Sequence, residues 1–221
     1  MKDILLIVGN GKLATFFLHS HDIKTLSFDQ KELVDVNSTV LLHCGSGRQL
    51  DEALDFCKSY QMPMIQASTS VNIQDIEVDF PLVDAPNLSI PILRFLQELK
   101  HLSKSFASSN KTIKESHQST KTSPPKTALM IADILQVHED QIISVREPIV
   151  QEEEFNIPKE YLNSHAIHEI EFFEEDVSIT FKTQVFGKRT YILGAKKLLG
   201  IIDNLPARYI HISELIENGL I

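Results

Sequence analysis

Residues 3–14 constrain the fold more than any other stretch. An apolar run, Ile4-Leu5-Leu6-Ile7-Val8, ends at Gly9-Asn10-Gly11-Lys12-Leu13-Ala14, and a short apolar helix is expected over 12–19. A continuous apolar run of this length, ended by glycine, is the pattern of a parallel strand buried on both faces. The turn fits G-x-G-x-x-A. In that pattern the first glycine permits the tight turn, the second lets a pyrophosphate approach the backbone, and the small third residue lets helix pack on strand. The helix start then offers N–H groups to an anion. Gly9, Gly11, Lys12 and Leu13 are therefore candidate dinucleotide contacts. Asp29 lies twenty residues after Gly9, where a carboxylate can accept hydrogen bonds from an adenosine ribose. A carboxylate there disfavours a 2′-phosphate and Lys31 softens the bias, so the cofactor is left as NADH or NADPH. The other reading of the same residues is a generic tight turn and a solvated loop acid.

The chain continues as alternating strands and helices. Strands are expected over 23–28, 39–44, 63–67 and 80–83, with an amphipathic helix over about 48–60. Alternation with short links means crossover units and a parallel sheet. The pattern changes near residue 85. A helix starts from Ala85-Pro86-Asn87-Leu88-Ser89 and runs to about 106, with Pro91 in its first turn, where a missing N–H costs little. Residues 108–125 are polar, with a short strand expected over 112–115. A helix over 127–136 follows, then strands over 141–146, 168–173 and 177–186, the last two forming an antiparallel hairpin. A final helix over about 189–204 and a mixed tail over 209–216 complete the chain. The expected fold is α/β: a Rossmann-like dinucleotide-binding domain over 1–87, completed by 195–221, and an α+β domain over 88–194 with a mixed or antiparallel sheet that carries the candidate substrate residues.

Composition excludes some partners. Net charge is −9, which argues against nucleic acid, because phosphate binding runs on surplus Lys and Arg. No apolar run approaches the roughly 20 residues that cross a bilayer, so no membrane association is expected. Two cysteines are too few for a disulfide framework. With no signal-peptide pattern, the expected location is the cytoplasm. Against the acidic background, lysines 104, 111, 114, 121 and 126 face one acid, Glu115. Such a positive island suits a carboxylate or phosphate ligand; the alternative is a solvated loop. Within it, His117 can exchange a proton near neutral pH and Lys121 can hold an anion or give a proton. His165 and His168, three apart on a strand, point to opposite faces, so no metal site is expected. Cys44 reads as a small buried thiol, and Glu152-Glu153-Glu154 as a solvated loop.

Several stretches together resemble the 4-hydroxy-tetrahydrodipicolinate reductase (dihydrodipicolinate reductase) family. They are the glycine turn, Ala67-Ser68-Thr69-Ser70, Ala85-Pro86-Asn87-Leu88-Ser89-Ile90, Glu115 to Ala128, His168-Glu169-Ile170 and Gly194-Ala195, in the family's order. The resemblance implies NADH- or NADPH-dependent reduction of a small cyclic dicarboxylate in the diaminopimelate route to lysine, by a homotetramer. It implies that His117 does acid/base work and Lys121 donates a proton. It places Gly9, Gly11, Ala67, Ser68, Thr69, Ala85 and Asn87 at the cofactor, and Gln118, Lys126 and Thr127 at the substrate. Three departures stand out. The family's second histidine is Gln118, its S-G-T carboxylate cradle reads Pro125-Lys126-Thr127, and its R-G-G reads Glu160-Tyr161-Leu162. These leave two further readings open: an impaired dinucleotide-binding paralogue with a regulatory role, and a reductase of another small anionic substrate.

Overall fold

The N-terminal apolar run becomes β1 (Ile4–Val8), and the glycine turn leads into α1 (Lys12–Leu18). The computed structural model describes residues 2–68, 71–122 and 125–221. Next come β2 (Lys24–Ser27), a 3-10 turn (Phe28–Leu33), β3 (Thr39–His43), α2 (Leu50–Tyr60), β4 (Met64–Gln66) and β5 (Leu82–Asp84). Contacts divide the chain into two units, Met1–Leu93 with Arg189–Ile221, and Arg94–Lys188.

The first unit holds a six-stranded parallel sheet in the order β10-β5-β4-β3-β1-β2. Its tenth strand, β10 (Tyr209–His211), and the short α7 (Ile212–Glu217) come from the tail that reads as mixed in the sequence. Only three residues of β10 pair, too few for a period to be legible. The sheet buries both faces. Leu5, Ile7, Val40, Leu42, Ile65 and Val83 face Ala14, Phe17 and the returning α6 (Arg189–Ile201). Leu6, Val8, Leu41, Met64 and Leu82 face α2 and Phe80. Alternate residues of one strand serve opposite faces, which is why β1 is apolar throughout and β3 is buried throughout, with Val40, Leu41 and Leu42 apolar at its centre. Within α6, a Cβ on Gly194 would lie 1.8 Å from the Leu88 carbonyl oxygen, so only glycine lets this helix settle on the backbone after β5.

The second unit holds a four-stranded sheet, β7-β6-β8-β9. α3 (Ile90–Ser105) leads to it. β6 (Asn110–His117) pairs parallel with β7 (Ile142–Val145) and antiparallel with β8 (His165–Glu174), which forms a hairpin with β9 (Val177–Phe186). α4 (Lys126–Leu135) packs on β6 and buries Ala128, Ile131, Ala132 and Leu135. Two expectations are corrected. The strand expected over 112–115 is longer, an eight-residue strand that takes in Ser116 and His117 and has neighbours on both sides. The lysines of the polar segment fall on several elements: Lys104 in the last turn of α3, Lys111 and Lys114 on β6, and Lys126 at the start of α4. Glu152-Glu153-Glu154 is not a loop, since α5 (Pro148–Glu153) carries Glu152 and Glu153 with the buried Gln151 and ends just before the exposed Glu154. Among the described residues, no helix is long and apolar enough to cross a membrane.

Candidate active site

The first cluster of candidate residues lies along the C-terminal edge of the parallel sheet. β2 and β3 flank β1 on opposite sides, so the strand order reverses direction between β1 and β3. In open α/β sheets ligands bind outside the carboxyl ends of the strands, at such a switch point. Gly9 ends β1 there with φ +119°, and a Cβ on it would lie 2.8 Å from the Gly45 nitrogen in the turn after β3. Gly11 precedes the first residue of α1, and a Cβ on it would meet nothing within 4 Å. Thus the first glycine is required by the protein's own packing, while the second borders open space beside a helix start. That is the pairing a pyrophosphate cradle calls for.

Backbone hydrogen bonds extend the edge across the sheet. Cys44 donates to the Val8 carbonyl at 2.8 Å, Ala67 to that of His43 at 2.9 Å, and Ala85 to that of Gln66 at 2.8 Å. The candidates Gly9, Ala67 and Ala85 are thereby brought into one row, with Ser68 next to it. Asn87 accepts from the Ser89 amide at 2.8 Å, shaping the entry to α3, and the Ser89 hydroxyl bonds Thr190 at 2.8 Å. Asp29 is exposed, just past the end of β2, and Lys12 is exposed in the turn itself. Thr69 lies outside the described residues. Sequence reasoning missed Gly45-Ser46-Gly47, a second G-x-G directly after a strand, and His43, whose ring bonds Gln66 at 2.6 Å and the Arg48 carbonyl at 3.1 Å, fixing the turn that faces Gly9.

The second cluster lies in the other unit, at the end of β6. Ile113, Glu115 and His117 share one face of the strand by its period of two. Glu115 has no solvent exposure. One oxygen lies 2.6 Å from His117 Nδ1 and the other accepts from Arg146 Nη2 at 2.5 Å. Burial alone would push this carboxyl up, but hydrogen bonds from His117, Arg146 and Ser144 outweigh it and hold it at about 2. An ionised Glu115 can only accept, so Nδ1 carries the proton and Nε2 is the nitrogen left to exchange one. The His168 ring meets His117 edge to face at 5.7 Å. Burial and the neighbouring His117 push His168 down to about 4, with Glu115 opposing, so its ring is neutral near pH 7. His165 points elsewhere, to Ser116 and the Tyr161 carbonyl, and the described residues contain no group of three or more metal-ligating side chains. Gln151 donates to the carbonyls of His117 and Val145, at 2.7 and 3.1 Å, pinning the ends of β6 and β7.

Past His117 the chain turns, with the Lys121 amide donating to the Gln118 carbonyl at 2.9 Å. Pro125 then caps α4: its carbonyl accepts from the Leu129 amide at 3.0 Å, which puts Lys126 and Thr127 in the first helical turn. First-turn N–H groups have no partner within the helix. Proline removes one donor from the loop, and the helix start behind it supplies others. Sequence reasoning found His117 and missed Glu115, Arg146 and His168 as its partners. Glu115 reaches His117 through their spacing of two on one strand face, while Arg146 and His168 join them through strand register, Glu115 lying opposite both Ser144 and His168, which no local signal encodes.

No family model matches the chain. It is 23% identical over 181 residues to the 4-hydroxy-tetrahydrodipicolinate reductases of Rickettsia peacockii (strain Rustic) and Rickettsia rickettsii (strain Sheila Smith), covering 77% of this chain and 76% of theirs. Among solved structures, the dipicolinate-bound dihydrodipicolinate reductase from Paenisporosarcina sp. TG-14 superposes with a TM-score of 0.57 at 16% identity, covering 93% of this chain and 86% of that one. The chain thus shares the fold of that structure and is similar in sequence, over about three quarters of its length, to 4-hydroxy-tetrahydrodipicolinate reductases.

Proposed function

We propose that the chain is an NADH- or NADPH-dependent reductase of a small cyclic dicarboxylate, with 4-hydroxy-tetrahydrodipicolinate the substrate that the names of its sequence relatives suggest. The observation that carries the reading is Glu115 beside His117. A buried, ionised carboxylate holding one ring nitrogen is a device for presenting the other nitrogen to a substrate. The row from Gly9 to Ala85 and the open space above Gly11 suit a dinucleotide. When bound, a reduced nicotinamide would supply hydride.

The chain's own residues supply charge and protons. His117 moves a proton at Nε2. Lys121, in the turn that follows, holds an anion or donates a proton. Thr127 and the first-turn N–H groups of α4 receive a carboxylate, with Lys126 adding positive charge in place of the proline-lost donor. Gln118 supplies an amide beside them. By the same relationship, we infer a homotetramer and a soluble cytoplasmic location; sedimentation at several concentrations reads the first.

Melting scans with NADH and with NADPH test the cofactor half, because a ligand that binds the folded state raises stability by mass action. Coupling the preceding synthase to nucleotide oxidation tests the substrate half. Turnover that His117→Ala and Lys121→Ala each abolish is the expected result. Pro125-Lys126 favours a second reading, a reductase of another small anion. Nucleotide binding without turnover in the coupled assay separates that reading, and the impaired paralogue, from the first.

A further inference from the structure

The adenosine end of the proposed dinucleotide site holds more negative charge than its one lysine balances. β2 runs parallel to β1 with Ser27 opposite Ile7, so the chain just past β2 lies beside the glycine turn. There the 3-10 turn Phe28–Leu33 carries Asp29, exposed, and Lys31. In dinucleotide folds this is where a carboxylate takes the ribose hydroxyls, or a cation takes a 2′-phosphate. Both kinds of residue are present, so the choice depends on which is available.

Lys31 is engaged elsewhere. Its Nζ lies 2.5 Å from Glu52 Oε1, in the first turn of α2, and 4.7 Å above the Phe28 ring. Phe28 is buried and packs edge to face on Phe56 of the same helix at 5.8 Å, so the platform under the ammonium is fixed. Glu52, Glu32 and Asp29 all act on Lys31, in that order of strength, and raise its pKa. One carboxylate thus holds the ammonium directly, and two more act on it through space. Elsewhere on this edge Lys12 is exposed at the start of α1, behind the glycine turn, and Arg48 donates to Ser46 at 3.3 Å.

We propose that Glu52 sets the cofactor preference: by engaging Lys31 it leaves Asp29 to meet the adenosine ribose, and the site takes NADH over NADPH. The inference rests on the dinucleotide reading above and goes beyond it. An exposed ion pair is weak by itself. Its effect comes from the site's net charge, because a 2′-phosphate would bring about two more negative charges to a place already short of positive ones.

The test is equilibrium binding of NADH and of NADPH, followed by nucleotide fluorescence, to the wild-type protein, Glu52→Gln, Lys31→Ala and the double variant. Wild type is expected to bind NADH about tenfold tighter, a factor that equals about 1.4 kcal/mol. Glu52→Gln should narrow that ratio at least about threefold by tightening NADPH, with NADH little changed. Lys31→Ala should leave the wild-type ratio nearly as it was and should cancel the gain in the double variant. If neither nucleotide binds, the dinucleotide reading fails and the inference goes with it. If both bind but wild type prefers NADPH, or the ratio is indifferent to Glu52→Gln, the Glu52 assignment alone is overturned.

Discussion

Glu115 holds His117 Nδ1 at 2.6 Å from a position with no solvent exposure, and the same carboxylate holds Arg146 at 2.5 Å. One acid thus orients the proposed proton-exchanging ring and neutralises the guanidinium beside it. Removing its charge should harm both. For Glu115→Gln we expect a loss of about 3 kcal/mol in urea unfolding, because breaking a buried ion pair leaves the partner charge uncompensated. Turnover should fall as well, with a shifted pH profile, since Nδ1 loses the acceptor that selects its tautomer. A Glu115→Gln protein with wild-type stability and profile would remove Glu115 from the positioning role.

Acid should destabilise the protein in two stages. His168 is pushed down from 6.5 to about 4. The unfolded chain therefore binds the extra proton first, and stability, full above 6.5, is lost as pH falls toward 4. Glu115 is held down from 4.5 to about 2, so its contribution is full above 4.5 and is lost as pH falls toward 2. At about 1.4 kcal/mol per unit, each stage is on the order of 3 kcal/mol. His165, also pushed down by burial, adds to the first. Melting temperature followed against pH checks this, and His168→Gln should flatten the upper limb while leaving the lower one.

The two glycines of the first turn should fail in different ways. Gly9→Ala places a side chain at positive φ and against the Gly45 backbone, so it should lower stability by about 1–3 kcal/mol before any ligand is added. Gly11→Ala meets nothing within 4 Å. It should melt like wild type and lose the thermal shift given by nucleotide. An unchanged shift in Gly11→Ala would show that nucleotide does not approach this turn.

In α6, Gly194→Ala and Gly200→Ala make a matched pair. The first drives a methyl into the Leu88 carbonyl oxygen at 1.8 Å; the second, exposed near the helix end, meets nothing within 4 Å. Gly194→Ala should cost about 3 kcal/mol or more through overpacking, while Gly200→Ala should gain about 0.5–1 kcal/mol from helix propensity. Chemical denaturation of both reads the contrast directly.

Where the physics is local, residues alone disclose the structure. Ile4 to Val8 and the glycines behind them specify a buried parallel strand and a tight turn, because continuous burial and positive φ are properties of a few adjacent positions. Ala85 to Ser89 is legible for the same reason, as a short segment with a capping need, whereas Gly194-Ala195 stands out only by family resemblance, its packing need being set by the distant Leu88 carbonyl. β6 is legible only in part. Only 112–115 of it shows as a strand; Ser116 and His117 look like a polar loop because polarity in sequence does not reveal that β8 will pair with them and that His165 will bond Ser116. The three residues of β10 and the order of the sheet depend likewise on partners far along the chain. The sequence by itself determined the alternation of strands and helices and the residue types at the glycine turn. Only tertiary structure decided that Gly9 abuts Gly45, that Lys31 is engaged by Glu52, and that a buried carboxylate stands behind His117. The first two, and the burial of that carboxylate, are matters of strand register and packing between residues far apart in the chain, which no local pattern can carry.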